Sequence, residues 1–499
     1  MTPRVRAPEL PQDGIWFNTN HPLSLKHLKG RVVILDFWTY CCINCLHVLP
    51  DLNYLEQKYK DSLTVIGIHS SKFDNEKDAE NIRQAILRYD VEHPVVVDST
   101  FNLWQQYAVR AWPTLVVIDP EGYVIRDVAG EGNRAVLDQL IGELIQKHQQ
   151  KDTITMQPLH FTLEKQRHPL TNPLAFPGKV LADEFSDRLF IADSGHHRIV
   201  VSNLAGEVLN IIGTGKPGLT DGTFAEAQFF APQGITLDPN NQRLYVADTE
   251  NHCLRCIHLE TEQVETVAGT GEQSRQIQPH SGLGLQTALN SPWDIEKIDN
   301  RLLIAMAGSH QIWEMQLETG EIGTYAGTGA EACLDGSLHE AAFAQPSGIT
   351  SDGRELYVAD SEVSSIRGVG LINNLPVRTI CGSGELFEFG DRDGQKSEVR
   401  LQHCLGVEYT QNYLWVADTY NHKIKRVDPS TGSCQTLLGN GQAGHRDGQS
   451  HEAQFAEPSG VSAIAARLYI ADTNNHVIRC VDLGTLEVTT LNLSGYQIC

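Results

Sequence analysis

Long apolar runs are missing from this chain of 499 residues. A membrane-spanning helix needs about 18 consecutive apolar residues. No stretch of this sequence approaches that length, so the sequence predicts no membrane segment. Residues 1–17 lack the apolar core that marks a secretory signal peptide. The eleven cysteines are scattered and odd in number, which argues against a disulfide framework. Together these absences predict a cytoplasmic protein in a reducing environment.

Basic residues are also scarce. The chain has 39 Lys and Arg against 62 Asp and Glu, a net charge of −23, and most of the excess lies after residue 150. An acidic surface repels a phosphate backbone at long range, so the sequence predicts that nucleic acid is not a main partner. The apolar fraction of 41% is that of a globular protein, and the length is sufficient for several domains.

A pair of cysteines at a predicted strand–helix junction is the first feature that carries chemistry. Residues 32–37 predict a buried strand, and residues 42–59 predict a helix with leucines along one face. Cys42 and Cys45 form a C-x-x-C pair at this junction. At a helix start, unpaired backbone N–H groups and the helix dipole stabilise the thiolate of Cys42, which makes it the attacking sulfur. Cys45, one turn later, can then resolve a mixed disulfide.

Further strands and helices alternate along this part of the chain. The predicted strands are 65–68, 95–97, 115–118 and 123–128, and the predicted helices are 75–89 and 134–147. Alternation of this kind predicts a βαβ unit with a mixed sheet.

Residues 15–148 resemble a thioredoxin-like domain with an extra strand and helix before the third sheet strand. The resemblance implies that Asp36 is the buried acid below the cysteines and that Trp112-Pro113 is a cis-proline loop facing them. It also implies that Trp38 is the tryptophan near the site. The residues with implied catalytic roles are Cys42, Cys45, Asp36 and Pro113, and the supporting residues are Cys41, Trp38 and Trp112.

Two departures from the family pattern leave alternatives open. Cys41 stands where tryptophan is usual, and Ile43-Asn44 stands where Gly-Pro is usual. Cys41 could form a vicinal bridge with Cys42, act as a third exchange partner, or be a small buried thiol. Asp36 could accept and donate protons, or it could have only a structural role as a capping residue. The thioredoxin fold could also be redox-inactive.

The rest of the chain is built from six copies of one short strand motif. Successive copies are 54–58 residues apart and end at Asp193, Asp248, Met306, Asp360, Asp418 and Asp472. Each copy lies in a unit with signals for four short antiparallel strands, usually ending in Gly-x-Gly. Such a unit cannot bury its own apolar faces, so neighbours must stack. The repeat predicts a six-bladed β-propeller.

The turns after this motif resemble NHL repeats over residues 174–496. The third and fourth copies depart, with Met306 for Asp and Val363-Ser364 for Asn-His. Histidines that recur at one position are predicted to form turn hydrogen bonds rather than to bind metal; they are His197, His252, His310, His422 and His476. Cys253 and Cys256 form a second C-x-x-C on a strand, where residues three apart point to opposite faces, so no zinc site is predicted.

Long loops follow the Gly-x-Gly turns. Four of them share an Asp-Gly pair followed by a phenylalanine or leucine, which we expect to anchor the loop. Repeated loops of this length, gathered on one face, are typical of binding surfaces. The candidate binding residues are Asp221, Asp335, Asp393 and Asp447.

The order of the two modules, with Cys-Cys-Ile-Asn-Cys at the site, resembles the NHL-repeat-containing protein 2 family. We predict a multidomain chain with an α/β thioredoxin-like domain over residues 1–150 and an all-β six-bladed NHL propeller over residues 174–499. Residues 151–173 are predicted to be a linker or a strand that closes the ring.

The leading functional hypothesis is a thiol–disulfide oxidoreductase whose propeller recruits a protein substrate. A dithiol reductant is a further expected partner, and no cofactor or metal is expected. One alternative is a non-catalytic interaction scaffold in which the thioredoxin-like domain is a redox-inactive adaptor. A metal-dependent propeller enzyme is the third class.

Overall fold

The fold is known from a computed structural model, which describes residues 4–373 and 375–495. The chain forms two compact units, one ending at Leu170 and the other beginning at Thr171. Every helix in the described ranges is too short or too polar to cross a membrane.

The first unit has a seven-stranded mixed sheet. Its strands are β1 Val5–Arg6, β2 Trp16–Phe17, β3 Val32–Trp38, β4 Leu63–His69, β5 Val95–Val97, β6 Thr114–Ile118 and β7 Tyr123–Ala129. Its helices are α1 Ile43–Leu46, α2 Leu49–Lys58, α3 Ala79–Arg88, α4 Asn102–Gln106, α5 Arg134–Gln150 and α6 Glu164–Arg167. The strand order is β1-β7-β6-β3-β4-β5-β2. β3, β4 and β5 are parallel and β6 and β7 antiparallel, as the alternation predicted.

β3 is buried over its whole length because it lies between β4 and β6 and is covered on both faces. Val32 and Ile34 pack with apolar residues of α2 and α5, whereas Val33 and Leu35 pack in a separate core on the opposite face. Side chains alternate along a strand, so Asp36 points to the face covered by α2 and α5.

The helix predicted over residues 42–59 is two helices, α1 and α2. Pro50 occupies the first turn of α2. A proline has no N–H to donate to the carbonyl four residues earlier, and its ring clashes with that carbonyl. The helix therefore ends near Leu46 and starts again at Leu49.

Residues 151–170 attach to the first unit. The N–H of Thr155 donates to the carbonyl of Gly30 at 2.7 Å, and the N–H of Glu164 donates to Oδ1 of Asn18 at 2.7 Å. The regular element of this segment is α6. The domain boundaries at residues 150 and 173 stay predictions.

The second unit is the predicted six-bladed propeller. Blade 1 contains β8 Pro177–Asp183, β9 Arg188–Asp193, β10 Arg198–Ser202 and β11 Val208–Ile212. Blade 2 contains β12 Gly222–Thr223, β13 Ile235–Asp238, β14 Arg243–Asp248, β15 Cys253–His258 and β16 Gln263–Ala268. Blade 3 contains β17 Ser281–Leu283, β18 Pro292–Ile298, β19 Arg301–Met306, β20 Gln311–Gln316 and β21 Glu321–Ala326.

Blade 4 contains β22 Pro346–Ser351, β23 Glu355–Asp360, β24 Ser365–Gly370 and β25 Arg378–Cys381. Blade 5 contains β26 Gly394–Gln395, β27 Gly406–Thr410, β28 Tyr413–Asp418, β29 Lys423–Asp428 and β30 Ser433–Leu438. Blade 6 contains β31 Gly448–Gln449, β32 Pro458–Ile464, β33 Arg467–Asp472, β34 Val477–Asp482 and β35 Glu487–Thr490. The inner strands contact their neighbours around the ring, and β32 closes it against β8.

Four blades carry a fifth strand in addition to the four that the sequence predicted. These extra strands are β12, β17, β26 and β31, and each pairs antiparallel with the outermost long strand of its own blade. Three of them begin at the glycine of an Asp-Gly pair. Gly222, Gly394 and Gly448 have positive φ angles, which glycine adopts without steric cost. The long loops are therefore ordered extensions of the sheets.

Recurrent histidines join each blade to the next. Nδ1 of His197 accepts the N–H of Ala231 at 3.1 Å, and Nδ1 of His252 accepts the N–H of Ser291 at 3.0 Å. His310 and His422 accept the N–H groups of Gln345 and Glu457 in the same way, and His476 accepts the N–H of Phe176 just before blade 1. In blade 4, Ser364 stands at the histidine position, and its Oγ accepts the N–H of His403. The predicted hydrogen bonds thus cross between blades instead of closing turns.

Buried cations compensate the recurrent aspartates. The side chains of Asp360 and Arg367 are both fully buried, and Oδ2 of Asp360 lies 3.0 Å from Nη1 of Arg367. The equivalent pairs are Asp248–Arg255, Asp418–Lys425 and Asp472–Arg479. A buried charge is tolerated only when it is paired, so these pairs constrain which residues each blade can carry.

We predict that Arg367→Met destabilises the propeller by about 3–5 kcal/mol, because the Asp360 carboxylate would then be buried without its cation. The measurement is the thermal or urea unfolding transition of the propeller in the full chain. Arg354→Met is the matched control, since Arg354 is exposed. Equal shifts in the two variants would contradict the prediction.

The loss of stability in Arg367→Met should also depend on pH. Burial raises the pKa of Asp360 to about 6, although Arg367 opposes the shift. An acid whose pKa is raised on folding contributes stability that is lost as the pH rises through the folded pKa. Removing Arg367 raises that pKa further, so the destabilisation should be larger at about pH 8 than at about pH 5.

Candidate redox site

The cysteine pair lies where the chain leaves the sheet after β3. Cys42 is the N-cap of α1, with φ −84° and ψ 115°. Its carbonyl accepts the N–H of Cys45 at 3.0 Å and that of Leu46 at 3.2 Å. This turn leaves Cys42 partly exposed and encloses Cys45. One sulfur can therefore reach a substrate, and the other is held beside it.

Burial raises the pKa of Cys45 well above its ordinary value, and the interaction with the neighbouring Cys42 thiol adds to this shift. A thiol with a raised pKa needs a base before it can attack a disulfide. α1 has four residues, so the dipole directed at Cys42 is that of a single turn, not of the long helix that the sequence predicted.

Asp36 is a buried carboxylate on the same side of the sheet as α2. Its exposed fraction is 0%, and within the described chain neither carboxylate oxygen has a hydrogen-bond partner. Burial raises the pKa of Asp36 to about 7, and the positive charge of His93 opposes this shift. Asp36 also acts electrostatically on Cys45. Such a carboxylate can take up a proton near neutral pH, and the lack of hydrogen bonds favours proton handling over capping.

The proline loop lies at the same end of the sheet. Thr114 at the start of β6 pairs with Phe37 near the end of β3. Pro113 therefore stands beside Trp38, at the point where the chain turns towards the cysteines. The Trp112–Pro113 peptide bond is cis, as the resemblance implied.

The two predicted tryptophans have different surroundings. Trp38 is fully buried and packs edge-on against His69, with ring centroids 5.1 Å apart. Trp112 is partly exposed and packs against Trp104 with centroids 4.5 Å apart. Trp112 and Trp104 thus form an aromatic surface next to Pro113, where a polypeptide could bind.

Glu76 belongs to the site, although nothing in the sequence pointed to it. Its buried carboxylate accepts the hydroxyl of Thr39 at 2.7 Å, the N–H of Cys41 at 3.0 Å and the N–H of Lys72 at 2.8 Å. It therefore fixes the backbone between β3 and Cys42. Oγ1 of Thr39 lies 3.7 Å from the buried sulfur of Cys41. The three site cysteines are free thiols in this structure.

The four loop aspartates are held by groups of their own blades. Oδ1 of Asp335 lies 2.9 Å from Nη2 of Arg367, and Oδ2 accepts the N–H of Thr379 at 3.0 Å. Asp221 and Asp447 pair with Arg255 and Arg479, and Asp393 lies near Lys425 and accepts the N–H of Thr436. These contacts order the loops; a direct role in binding a partner stays a prediction.

The phenylalanine of the loop motif packs under the same arginine. The guanidinium of Arg367 lies 5.2 Å from the ring centre of Phe343, and Arg255 and Arg479 sit over Phe229 and Phe455 in the same way. In blade 5 the equivalent positions are occupied by Lys425 and Leu401. The predicted anchoring role of this residue agrees with its complete burial.

Two groups of potential metal ligands come together in the described ranges. One comprises Cys256, His258 and Glu265, and the other comprises Asp119, Glu121 and His148. In the second group Arg4 already pairs with Asp119 at 2.5 Å. The first group arises across β15 and β16, so its glutamate could not be recognised before the pairing of these strands was known.

Comparisons with known proteins agree with both modules. A thioredoxin-like family model matches residues 30–124, and an NHL repeat model matches residues 231–257. Thiol-disulfide oxidoreductase ResA of Bacillus thuringiensis subsp. konkukian (strain 97-27) is 29% identical over 122 residues, which cover 24% of this chain and 68% of that protein.

Two long relatives match nearly the whole chain. Protein SUPPRESSOR OF QUENCHING 1, chloroplastic, of Arabidopsis thaliana is 46% identical over 510 residues, covering 98% of this chain and 48% of that protein. NHL repeat-containing protein 2 of Bos taurus is 44% identical over 518 residues, covering 97% of this chain and 71% of that protein. This chain therefore spans about half the length of the plant relative. Identity at this level across both modules shows that the chain belongs to the NHL repeat-containing protein 2 family.

Proposed function

We propose that this protein is a thiol–disulfide oxidoreductase that acts on a protein substrate recruited by its propeller. The observation that carries the proposal is the geometry of one pair of thiols. A partly exposed Cys42 caps the helix that contains a buried Cys45, and a buried carboxylate with a pKa of about 7 acts on Cys45. Similarity over this domain to ResA, which is named a thiol-disulfide oxidoreductase, supports the same chemistry.

The reaction begins when the Cys42 thiolate attacks a substrate disulfide. One substrate sulfur leaves as a thiolate, and a mixed disulfide forms with Cys42. Asp36 then takes the proton of Cys45, and the Cys45 thiolate attacks the Cys42 sulfur. The second substrate sulfur leaves, so the substrate disulfide has gained two electrons and Cys42–Cys45 has become a disulfide. A dithiol reductant returns the pair to its thiol form.

The propeller supplies the proposed recruiting surface. Loops that join an outer strand to the next inner strand emerge on one face, because the strands of each blade alternate in direction. Apolar side chains on these loops are exposed, namely Leu219, Ile277, Leu334 and Phe387. An apolar set of this kind on one face fits a protein partner.

The scaffold is the second candidate function. It is favoured by the departures at Cys41 and Ile43-Asn44 from the thioredoxin pattern. In that case the exposed propeller loops would bind partners, and the thiols would be dispensable. A cytoplasmic location remains part of the proposal.

We predict that Cys42→Ser abolishes disulfide turnover, because no sulfur remains that can attack the substrate. The rate of insulin reduction with dithiothreitol as the reductant should fall at least about a hundredfold. Cys45→Ser should instead accumulate the mixed disulfide, which non-reducing mass spectrometry detects. Cys333→Ser removes a partly exposed propeller thiol and is the matched control. Equal turnover by Cys42→Ser and the unaltered protein would exclude the enzyme and favour the scaffold.

A second prediction concerns recruitment. In a Cys45→Ser background, Leu334→Ser with Phe387→Ser should reduce the yield of trapped protein substrates from a cell lysate. The rate with a small disulfide should not change, because the redox site is untouched. Phe185→Ser is the control, since Phe185 is fully exposed in the turn between β8 and β9, on the other face of the propeller. An equal loss of trapped proteins with the control would contradict a specific recruiting face.

A further inference from the structure

Several buried polar atoms that have no hydrogen-bond partner among the described residues lie on or near the strand pair formed by Asp36 of β3 and Gly67 of β4. In the described part of the chain these atoms are both carboxylate oxygens of Asp36, Nε1 of Trp38 and Nε2 of His93. A Cβ atom on Gly67 would lie 2.9 Å from Nε1 of Trp38 and 3.3 Å from Nε2 of His93. Because Gly67 has no side chain, a small space remains here, bordered also by Cγ2 of Val95 at 3.1 Å from the same Cβ position. Unpaired buried polar atoms are uncommon and call for an explanation.

His93 connects this space to the protein surface. Its side chain is 4% exposed, and Nδ1 lies 3.4 Å from Oε2 of Glu56 on α2. The side chain of Glu56 is 28% exposed. Burial lowers the pKa of His93, but the hydrogen bond and charge of Glu56, with the charge of Asp36, outweigh burial and raise it overall.

We propose that His93 and Glu56 form a proton path that serves Asp36 during resolution of the mixed disulfide. This inference rests on the proposed oxidoreductase function and names residues for it. Asp36 takes the proton of Cys45 and passes it, directly or through one water in the space above Gly67, to Nε2 of a neutral His93 whose own proton is on Nδ1. The imidazolium then gives up the Nδ1 proton to Glu56, which releases it to solvent, so one proton leaves for each Cys45 that attacks and His93 keeps its proton on Nε2. When the dithiol reductant regenerates the thiols, the path runs in reverse: the Cys45 thiolate takes a proton from Asp36, Asp36 takes the Nε2 proton of His93, and Nδ1 regains a proton through Glu56.

The charged groups around this path act on the pKa of Asp36 in opposite directions. The cationic form of His93 lowers the pKa of Asp36, whereas Glu56 raises it, and the His93 contribution is the larger of the two. Glu92 also faces His93, and Cys45 faces Asp36. Loss of the His93 charge, by substitution of either His93 or Glu56, therefore leaves less ionised Asp36 at neutral pH.

The test separates attack by Cys42 from attack by Cys45. The full chain, reduced, is mixed with 5,5′-dithiobis(2-nitrobenzoate), and release of the coloured thiolate is followed by stopped flow. Cys42 releases the first equivalent when it forms the mixed disulfide, and Cys45 releases the second when it resolves it. Cys333, Cys480 and Cys499 are replaced by Ser in every protein so that these thiols do not contribute.

We expect the second phase to have a pH midpoint near the pKa of Asp36. Glu56→Gln and His93→Gln should raise this midpoint by about one pH unit, which makes the second phase about tenfold slower at pH values below it. The first phase should not change. The double variant should be no slower than His93→Gln alone, because both residues lie on one path. Glu143→Gln, an exposed carboxylate on α5, should have no effect.

The outcomes distinguish this inference from the function on which it rests. A second phase whose midpoint is the same in the unaltered protein, Glu56→Gln and His93→Gln would overturn the proton path and leave the oxidoreductase in place. If the unaltered protein shows no second phase at any pH, the oxidoreductase itself fails. Glu56 lies at the helix surface, so Glu56→Gln keeps the test available if His93→Gln does not fold.

Discussion

Burial of a carboxylate that has no hydrogen-bond partner among the described residues is the constraint on which the candidate redox site depends. The Asp36 side chain is enclosed between the sheet and α2, and desolvation makes its charged form costly. The same desolvation keeps Cys45 protonated, so neither group ionises easily in isolation. Asp36, with a pKa of about 7, is partly ionised at neutral pH and can take the proton that Cys45 gives up when it attacks. In the proposed reaction, the partly exposed Cys42 and the aromatic residues at Trp112 can act on a substrate only if this buried pair can ionise.

The propeller handles buried carboxylates in the opposite way. Asp248, Asp360 and Asp472 each have an arginine in contact, and that arginine also holds a loop aspartate and covers a phenylalanine. These carboxylates belong to a rigid network that orders the loops. Asp36 has His93 and Glu56 nearby instead of a direct cation contact. The same residue type is thus structural where a cation compensates it, and in our proposal it carries the chemistry where it is left uncompensated.

Local sequence was sufficient to predict the mixed sheet, the six blades and the cis bond before Pro113, because strand periodicity and a resemblance in short motifs determine them. Pro50 also marks the break between α1 and α2, but the spacing of the leucines concealed it. The fifth strands and the bonds from His197 and its equivalents depend on which blade lies next, which no single repeat encodes. Glu76, Glu56 and His93 were not recognised because each meets the site through tertiary packing across many residues of sequence.

The reduction potential of the Cys42–Cys45 pair tests the central claim most directly. It is measured on the full chain by mass-spectrometric thiol trapping across glutathione buffers. The account predicts a disulfide between these two residues with a potential between roughly −180 and −280 mV, the range of working thioredoxin-fold oxidoreductases. Failure of this pair to form a disulfide, or a bridge from Cys41 to another thiol in its place, would contradict the account and favour the scaffold.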